Sequence, residues 1–249
     1  MALAHGLPVL QPESLTVEVA EELARCGAAA LAVCAHGAIV PQLFLDRMPT
    51  LLTHPSAVPR WRGAAPVERA LMNGETELAV ATLRMTAGVD EGPVGDLRPV
   101  QVPREADAGQ AYLMLAGPAA EGLMATLAAV EGGTARWLPQ VGEATYAPKL
   151  NRGDREIRWN EPAIAIVDRV RALSPAVGAR TQIGGRDLTI WRARALTEAP
   201  DPTATAVVDH LVIRAGEGWV EMLEVQAAGG QRMPAAEFLR GAGRWLTRK

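Results

Sequence analysis

Residues 15–26 carry apolar and charged side chains at helical spacing, stop at Gly27, and give way to an unbroken apolar run, AAALAVCA, over residues 28–35. An amphipathic helix that ends in glycine and feeds a strand apolar on both faces is half of an α/β repeat, because such a strand is buried only when helices cover both sides of its sheet. The alternation continues. A short helix is expected over residues 42–48, a strand over 51–53, a proline-rich loop over 54–66, and a helix over 66–72 with Pro66 in its first turn. A strand follows over 78–85, a turn over 88–93, and extended chain as far as residue 102. A long alanine- and leucine-rich helix is expected over 106–130, interrupted near Gly117 and Pro118. Short strands alternating with helices predict a mostly parallel α/β sheet.

Residues 132–149 show no period and contain Pro139, Gly142 and Pro148, the composition of a linker or covering arm. Beyond them the pattern changes. Helical spacing holds only over 162–173, while 181–183, 188–195, 206–213 and 219–225 read as strands, and several short strands around one helix predict a small β-barrel. The organisation expected is a first domain over residues 1–138, a linker over 139–150, and a barrel domain over 151–249.

With 49% apolar and 21% charged residues the chain can bury a core. No apolar run approaches the roughly 20 residues of a membrane span, and the first residues lack a cationic segment, a long apolar core and a cleavage site. A cytoplasmic protein without a membrane partner is expected. The net charge of −3 argues against a dedicated nucleic-acid binder, and DNA is not an expected partner. The charge is uneven, however. Residues 1–150 hold ten basic against sixteen acidic side chains, and residues 151–249 hold fifteen against twelve, so a polyanion would meet the second half. Cys26 and Cys34 lack a CxxC spacing and read as structural thiols. His5, His36, His54 and His210 have no nearby ligand cluster, so no metal is expected.

Chemistry concentrates in HPSAVPRWRGAAPVERALMN, residues 54–73, and ATLRMTAGVDEGPV, residues 81–94. His54 opens a loop directly after a strand and can donate to an oxyanion; Asp90, in the turn after the next strand, can orient that imidazole. Both would lie at strand C-terminal ends, where open α/β sheets bind ligands. Taken alone, a histidine at a strand end is more often structural, and an aspartate in such a turn is usually turn chemistry.

These segments, with GLPVLQPESL (6–15), AHGAIVP (35–41), TYAPKL (145–150) and IWRARAL (190–196), stand in the same order as in methionyl-tRNA formyltransferases, and the chain resembles that family over nearly its whole length. The resemblance implies a partial Rossmann-like formyltransferase domain with a parallel sheet, followed by a small OB-like β-barrel domain that binds tRNA. It implies transfer of a formyl group from 10-formyltetrahydrofolate to the amino group of initiator methionyl-tRNA, with His54 and Asp90 catalytic. Ser56, Ala57, Val58 and Pro59 stand where the family has a Ser-Leu-Leu-Pro run that touches the folate carrier, and AHGAIVP would wall the pterin pocket. Formyl transfer by an amine needs a donor for the carbonyl oxygen and a route for the proton leaving nitrogen, which this pair of residue types can supply.

Two departures stand out. The family signature is Asn-x-His, whereas this chain reads Leu52-Thr53-His54, and leucine donates no hydrogen bond. The strand, phosphate-loop-like turn and helix that precede GLPVLQP in the family are also absent here, so uncovered strand edges and reduced activity are expected. Two other readings stay open: a folate-dependent formyltransferase acting on a sugar nucleotide, and a catalytically inactive RNA-binding paralogue.

Overall fold

The computed structural model of the chain describes residues 2–37, 39–198, 206–207 and 210–241. The first half begins with helix α1 (Val17–Arg25), strand β1 (Leu31–Val33), helix α2 (Gln42–Arg47) and strand β2 (Thr50–His54). It continues through helix α3 (Pro66–Met72), the strands β3 (Glu77–Arg84) and β4 (Val94–Gln101), and helix α4 (Ala108–Glu131). The four strands form one sheet in the order β1-β2-β3-β4.

The expectation of a parallel sheet holds for β1 and β2, where Val33 lies opposite Leu52. β3 runs antiparallel to β2, with His54 opposite Ala81, and β4 antiparallel to β3, so the sheet is mixed. The physical reason at β3–β4 is the connection: residues 85–93 are too few for the crossover that a parallel return requires, and they close a hairpin. Periodicity of side chains carries no information on strand direction.

Apolar faces are covered by separate clusters. Ala20, Val33, Val40 and Phe44 join α1, α2 and β1. Val67, Leu71, Leu78, Val80, Ala111 and Leu115 join α3 and α4 to one face of the sheet. Outside these clusters Leu3, Leu7, Leu10 and Ile39 stay exposed, and β1 is a short edge strand.

α4 runs unbroken through Pro118, against the expected interruption. Proline costs one backbone hydrogen bond, but it frees the carbonyl of Met114, which lies on the exposed side of the helix where water can bond it. The helix starts on a reciprocal cap, with Asp107 Oδ1 accepting from the Gln110 amide at 2.9 Å and Gln110 Oε1 accepting from the Asp107 amide at 3.0 Å. Contrary to the reading of the apolar runs, this one helix among the described residues, 24 residues long, is apolar enough to cross a membrane. It lies instead along β3 and β4 and buries Ala108, Ala111, Leu115, Gly122 and Thr126.

The second half holds helix α5 (Ala163–Leu173), strands β5 (Ala179–Ile183), β6 (Arg186–Leu196), β7 (Ala206–Val207), β8 (His210–Arg214), β9 (Trp219–Ala227) and β10 (Met233–Pro234), and helix α6 (Ala235–Arg240). Their sheet is antiparallel in the order β5-β6-β9-β8-β7, with β10 on β9. No pairing of β5 with β7 closes it into a barrel among the described residues. The strand expected over 206–213 is two strands, since Ala206 pairs with Leu211 and the chain must reverse between them; residues 208 and 209 lie outside the described residues. Ile166, Leu173, Ile190, Leu211, Val220 and Phe238 form the core.

The halves are tied by buried charge. Asp168 on α5 accepts from Arg171 Nε at 2.8 Å and from Arg104 Nη2 at 2.9 Å, and Arg171 Nη2 reaches the carbonyls of Leu71 and Glu75. Arg69 on α3 holds both oxygens of Asp154 at 2.7 and 2.8 Å.

Candidate active site

His54 is the last residue of β2 and is 5% exposed. Its Nε2 lies 3.0 Å from the carbonyl oxygen of Trp61. A carbonyl only accepts, so Nε2 carries the proton and Nδ1 is the ring nitrogen left for other work. Nδ1 lies 3.6 Å from Asp90 Oδ2. That is an ion-pair distance, longer than a normal hydrogen bond, so the two groups face each other without bonding directly.

Asp90 reaches His54 by a route other than the one expected from adjacent strand ends. β3 ends at Arg84 opposite Leu51, at the start of β2, so the C-terminal ends of the two strands point apart. The loop over 85–93 folds back along the sheet and returns the carboxylate to His54. Asp90 Oδ2 accepts from the Gly63 amide at 2.8 Å, and its own carbonyl accepts from Gln140 Nε2 at 2.8 Å. Gly63, at φ +117, is required here: a Cβ would stand 2.8 Å from the Ala147 carbonyl oxygen.

Three residues other than glycine have positive φ among the described residues: Ala35 at 50°, Trp61 at 59° and Asp90 at 52°. Each sits in one of three loops that meet at the end of β2. Such conformations cost about 1–3 kcal/mol and persist where the surroundings enforce them, as they do at many functional sites. Trp61 shows that enforcement. Its amide donates to Thr145 Oγ1 at 2.9 Å and its Nε1 to Glu75 Oε1 at 3.0 Å, while Glu75 also holds Arg60 and Asn73.

The residues expected to meet the folate carrier divide into two groups. Ser56 and Ala57 line a cleft of about 230 Å³ with Arg60, Trp61, Glu75 and Leu97. Ser56 is buried and its hydroxyl donates to the Arg60 carbonyl at 2.7 Å. Val58 turns away and packs on Ala81 and Leu83, and Pro59 uses its carbonyl to accept from the Thr145 amide at 3.1 Å. Leu52, two residues before His54, shares its face of β2 and packs on the same Val58 cluster. The AHGAIVP segment leaves β1 beside β2, where Cys34 Sγ donates to Thr53 Oγ1 at 3.7 Å; Ala38 of this segment lies outside the described residues. Among the described residues no group of three or more His, Cys, Asp or Glu side chains could hold a metal.

Sequence reasoning passed over Trp61, Gly63, Gln140 and Thr145. Trp61 and Gly63 act through main-chain atoms, which no residue type advertises; the glycine in Arg62-Gly63-Ala64 was the one signal available.

The family model described as formyl transferase matches residues 8–127, and the one described as formyl transferase, C-terminal domain, matches residues 149–243. The methionyl-tRNA formyltransferase of Chromobacterium violaceum is 38% identical over 248 residues, covering 97% of this chain and 80% of that protein. The chain belongs to the methionyl-tRNA formyltransferase family. Its counterpart from Solibacter usitatus is 39% identical, with 96% of this chain and 79% of that protein covered. Two solved structures share the fold at lower identity. HypX of Aquifex aeolicus, solved in complex with tetrahydrofolic acid, matches with a TM-score of 0.69 at 21% identity, over 89% of this chain and 41% of HypX. The methionyl-tRNA formyltransferase of Clostridium thermocellum matches with a TM-score of 0.56 at 18% identity, over 70% of this chain and 76% of that one. As a member of this family the chain is a formyltransferase of the folate-using class.

Proposed function

We propose that the chain transfers the formyl group of 10-formyltetrahydrofolate to the α-amino group of initiator methionyl-tRNA, with His54 and Asp90 as the catalytic pair. The observation that carries this reading is the locked ring. With Nε2–H held by the Trp61 carbonyl, Nδ1 faces Asp90 across 3.6 Å in a nearly closed site. Protonated at Nδ1, the imidazolium donates to the formyl oxygen as the amine attacks the formyl carbon and charge builds on that oxygen. Asp90, its carboxylate held by the Gly63 amide, takes the amine proton. When the intermediate collapses, the bond from the formyl carbon to the carrier nitrogen breaks and the proton passes to that nitrogen.

Ser56 and Ala57 meet the carrier at the cleft beside Trp61, while Val58 and Pro59 support that loop from behind. The chain divides, on this reading, into a catalytic domain over 1–138, an arm over 139–150 and a tRNA-binding domain over 151–249, whose exposed arginines include Arg180, Arg192, Arg194 and Arg214. It works in the cytoplasm, where charged initiator tRNA is used. Leu52 gives the site one donor fewer than the family pattern, a difference of roughly 100- to 1000-fold in turnover. That same residue favours the second reading, an RNA-binding chain that has lost transfer. A formylation assay on charged initiator tRNA separates them: transfer abolished by Asp90→Asn supports the enzyme, and no transfer under enzyme excess supports the RNA-binding chain.

A further inference from the structure

The segment between the two halves is woven into the site. Leu138 and Val94 exchange backbone hydrogen bonds at 2.8 and 2.9 Å, the Arg62 amide donates to the Thr145 carbonyl at 2.9 Å, and the Ala147 amide donates to the Arg62 carbonyl at 2.7 Å. Between these anchors stands Gln140. Its Nε2 donates to the carbonyls of Asp90 and Gly92, both at 2.8 Å. Its Oε1 accepts from Arg62 Nε at 3.1 Å and Nη2 at 2.7 Å. Both amide hydrogens and the amide oxygen are thus engaged, on two loops at once.

We infer that Gln140 is a positioning residue that sets the Asp90 carboxylate against His54. Asp90 sits at φ +52 at the end of a loop that folds back from the far end of the sheet, and its backbone must be held from outside to stay there. Gln140 supplies that hold. By gripping Arg62 with its other end it also sets the spacing between the Asp90 loop and the loop that carries Trp61 and Gly63. Gly63 donates to Asp90 Oδ2 and Trp61 accepts from His54, so one amide fixes the register of both partners of the pair. Neither near neighbour of glutamine reproduces this. Glutamate loses both donors, and asparagine is one methylene too short to span the two loops. The catalytic consequence rests on the formyl-transfer reading; the positioning itself does not.

The test uses the full chain with Gln140→Met and Gln140→Asn, reading hydrogen exchange of the Gly63 amide, whose acceptor is Asp90. With Gln140→Met the Gly63 amide exchanges about tenfold faster, the effect of loosening one hydrogen bond. The Arg62 and Ala147 amides, bonded elsewhere along the arm, stay within twofold of the parent. If the methionine variant fails to fold, Gln140→Asn decides by the same readout. In single-turnover transfer, the maximal rate constant falls about tenfold with the folate concentration for half-saturation unchanged, and in an Asp90→Asn background the substitution costs nothing further. Unchanged exchange at Gly63, or equal acceleration at Arg62 and Ala147, would overturn the assignment, the second because it marks Gln140 as a strut of the arm alone. Exchange is read without substrate, so an inactive parent would sink the formyl-transfer reading while leaving this one to be decided.

Discussion

His54 Nδ1 and Asp90 Oδ2 lie 3.6 Å apart although the neighbouring antiparallel strands that precede them end at opposite ends of their ladder. The pairing is therefore a property of loops, and it depends on the Trp61 carbonyl that turns the ring and the Gly63 amide that holds the carboxylate. Removing the charge without changing the shape should expose this dependence.

Asp90→Asn keeps the volume and the bond from the Gly63 amide but removes the proton acceptor. Single-turnover formyl transfer should fall by about 100-fold or more, the contribution of a positioned general base, with the thermal transition of the chain unmoved. A variant that transfers within threefold of the parent would remove Asp90 from the chemistry.

Leu52→Asn should act in two directions. Leu52 is packed against Val58, Ala81 and Leu83, so the polar side chain costs apolar burial of about 1–3 kcal/mol and lowers the urea midpoint. It also places a donor on the same face of β2 as His54, which should raise transfer about 100-fold. Loss of stability without any gain in rate would show that position 52 does not face the reacting group.

The pair itself was legible in the sequence, because histidine and aspartate are named by their side chains and stand in motifs shared with a family. α3 was legible to the residue, since Pro66 marks its first turn. Strand direction was not, as β3 shows: alternation reads the same in either sense. Pro118 suggested a break that the exposed carbonyl before it makes unnecessary. Gln140 lay in a segment without period, where only the folded chain reveals that an amide spans two loops.

Asp168→Ala leaves the Arg171 guanidinium buried with only carbonyl partners. Breaking one side of a buried pair costs about 3–5 kcal/mol, so urea unfolding should show a clearly lowered midpoint. The Asp168→Asn variant, which still accepts a hydrogen bond, should fall between. Equal midpoints for parent and alanine variant would mean that this contact does not hold α5 to α3.

Glu221 on β9 is buried, which alone would raise its pKa, but the hydrogen bonds from Arg194 and His210 outweigh burial and hold it below the usual 4.5. A depressed carboxylate contributes stability that is full above its unfolded value and lost as pH falls through its folded value. Glu221→Gln should therefore melt a few degrees below the parent at pH 7, and the gap should close as pH drops from about 4.5 through the depressed value. A gap that persists unchanged at the acid end would mean that the carboxylate charge is not what stabilises β8 and β9.

The central claim is tested most directly by single-turnover transfer of labelled formyl from 10-formyltetrahydrofolate to charged initiator tRNA, with parent, Leu52→Asn and Leu52→Asn/Asp90→Asn chains in excess. Slow product formation by the parent, a faster rate for Leu52→Asn, and loss of that gain in the double variant are the predicted result. Absence of formylmethionyl-tRNA with Leu52→Asn, or a rate indifferent to Asp90, would contradict it.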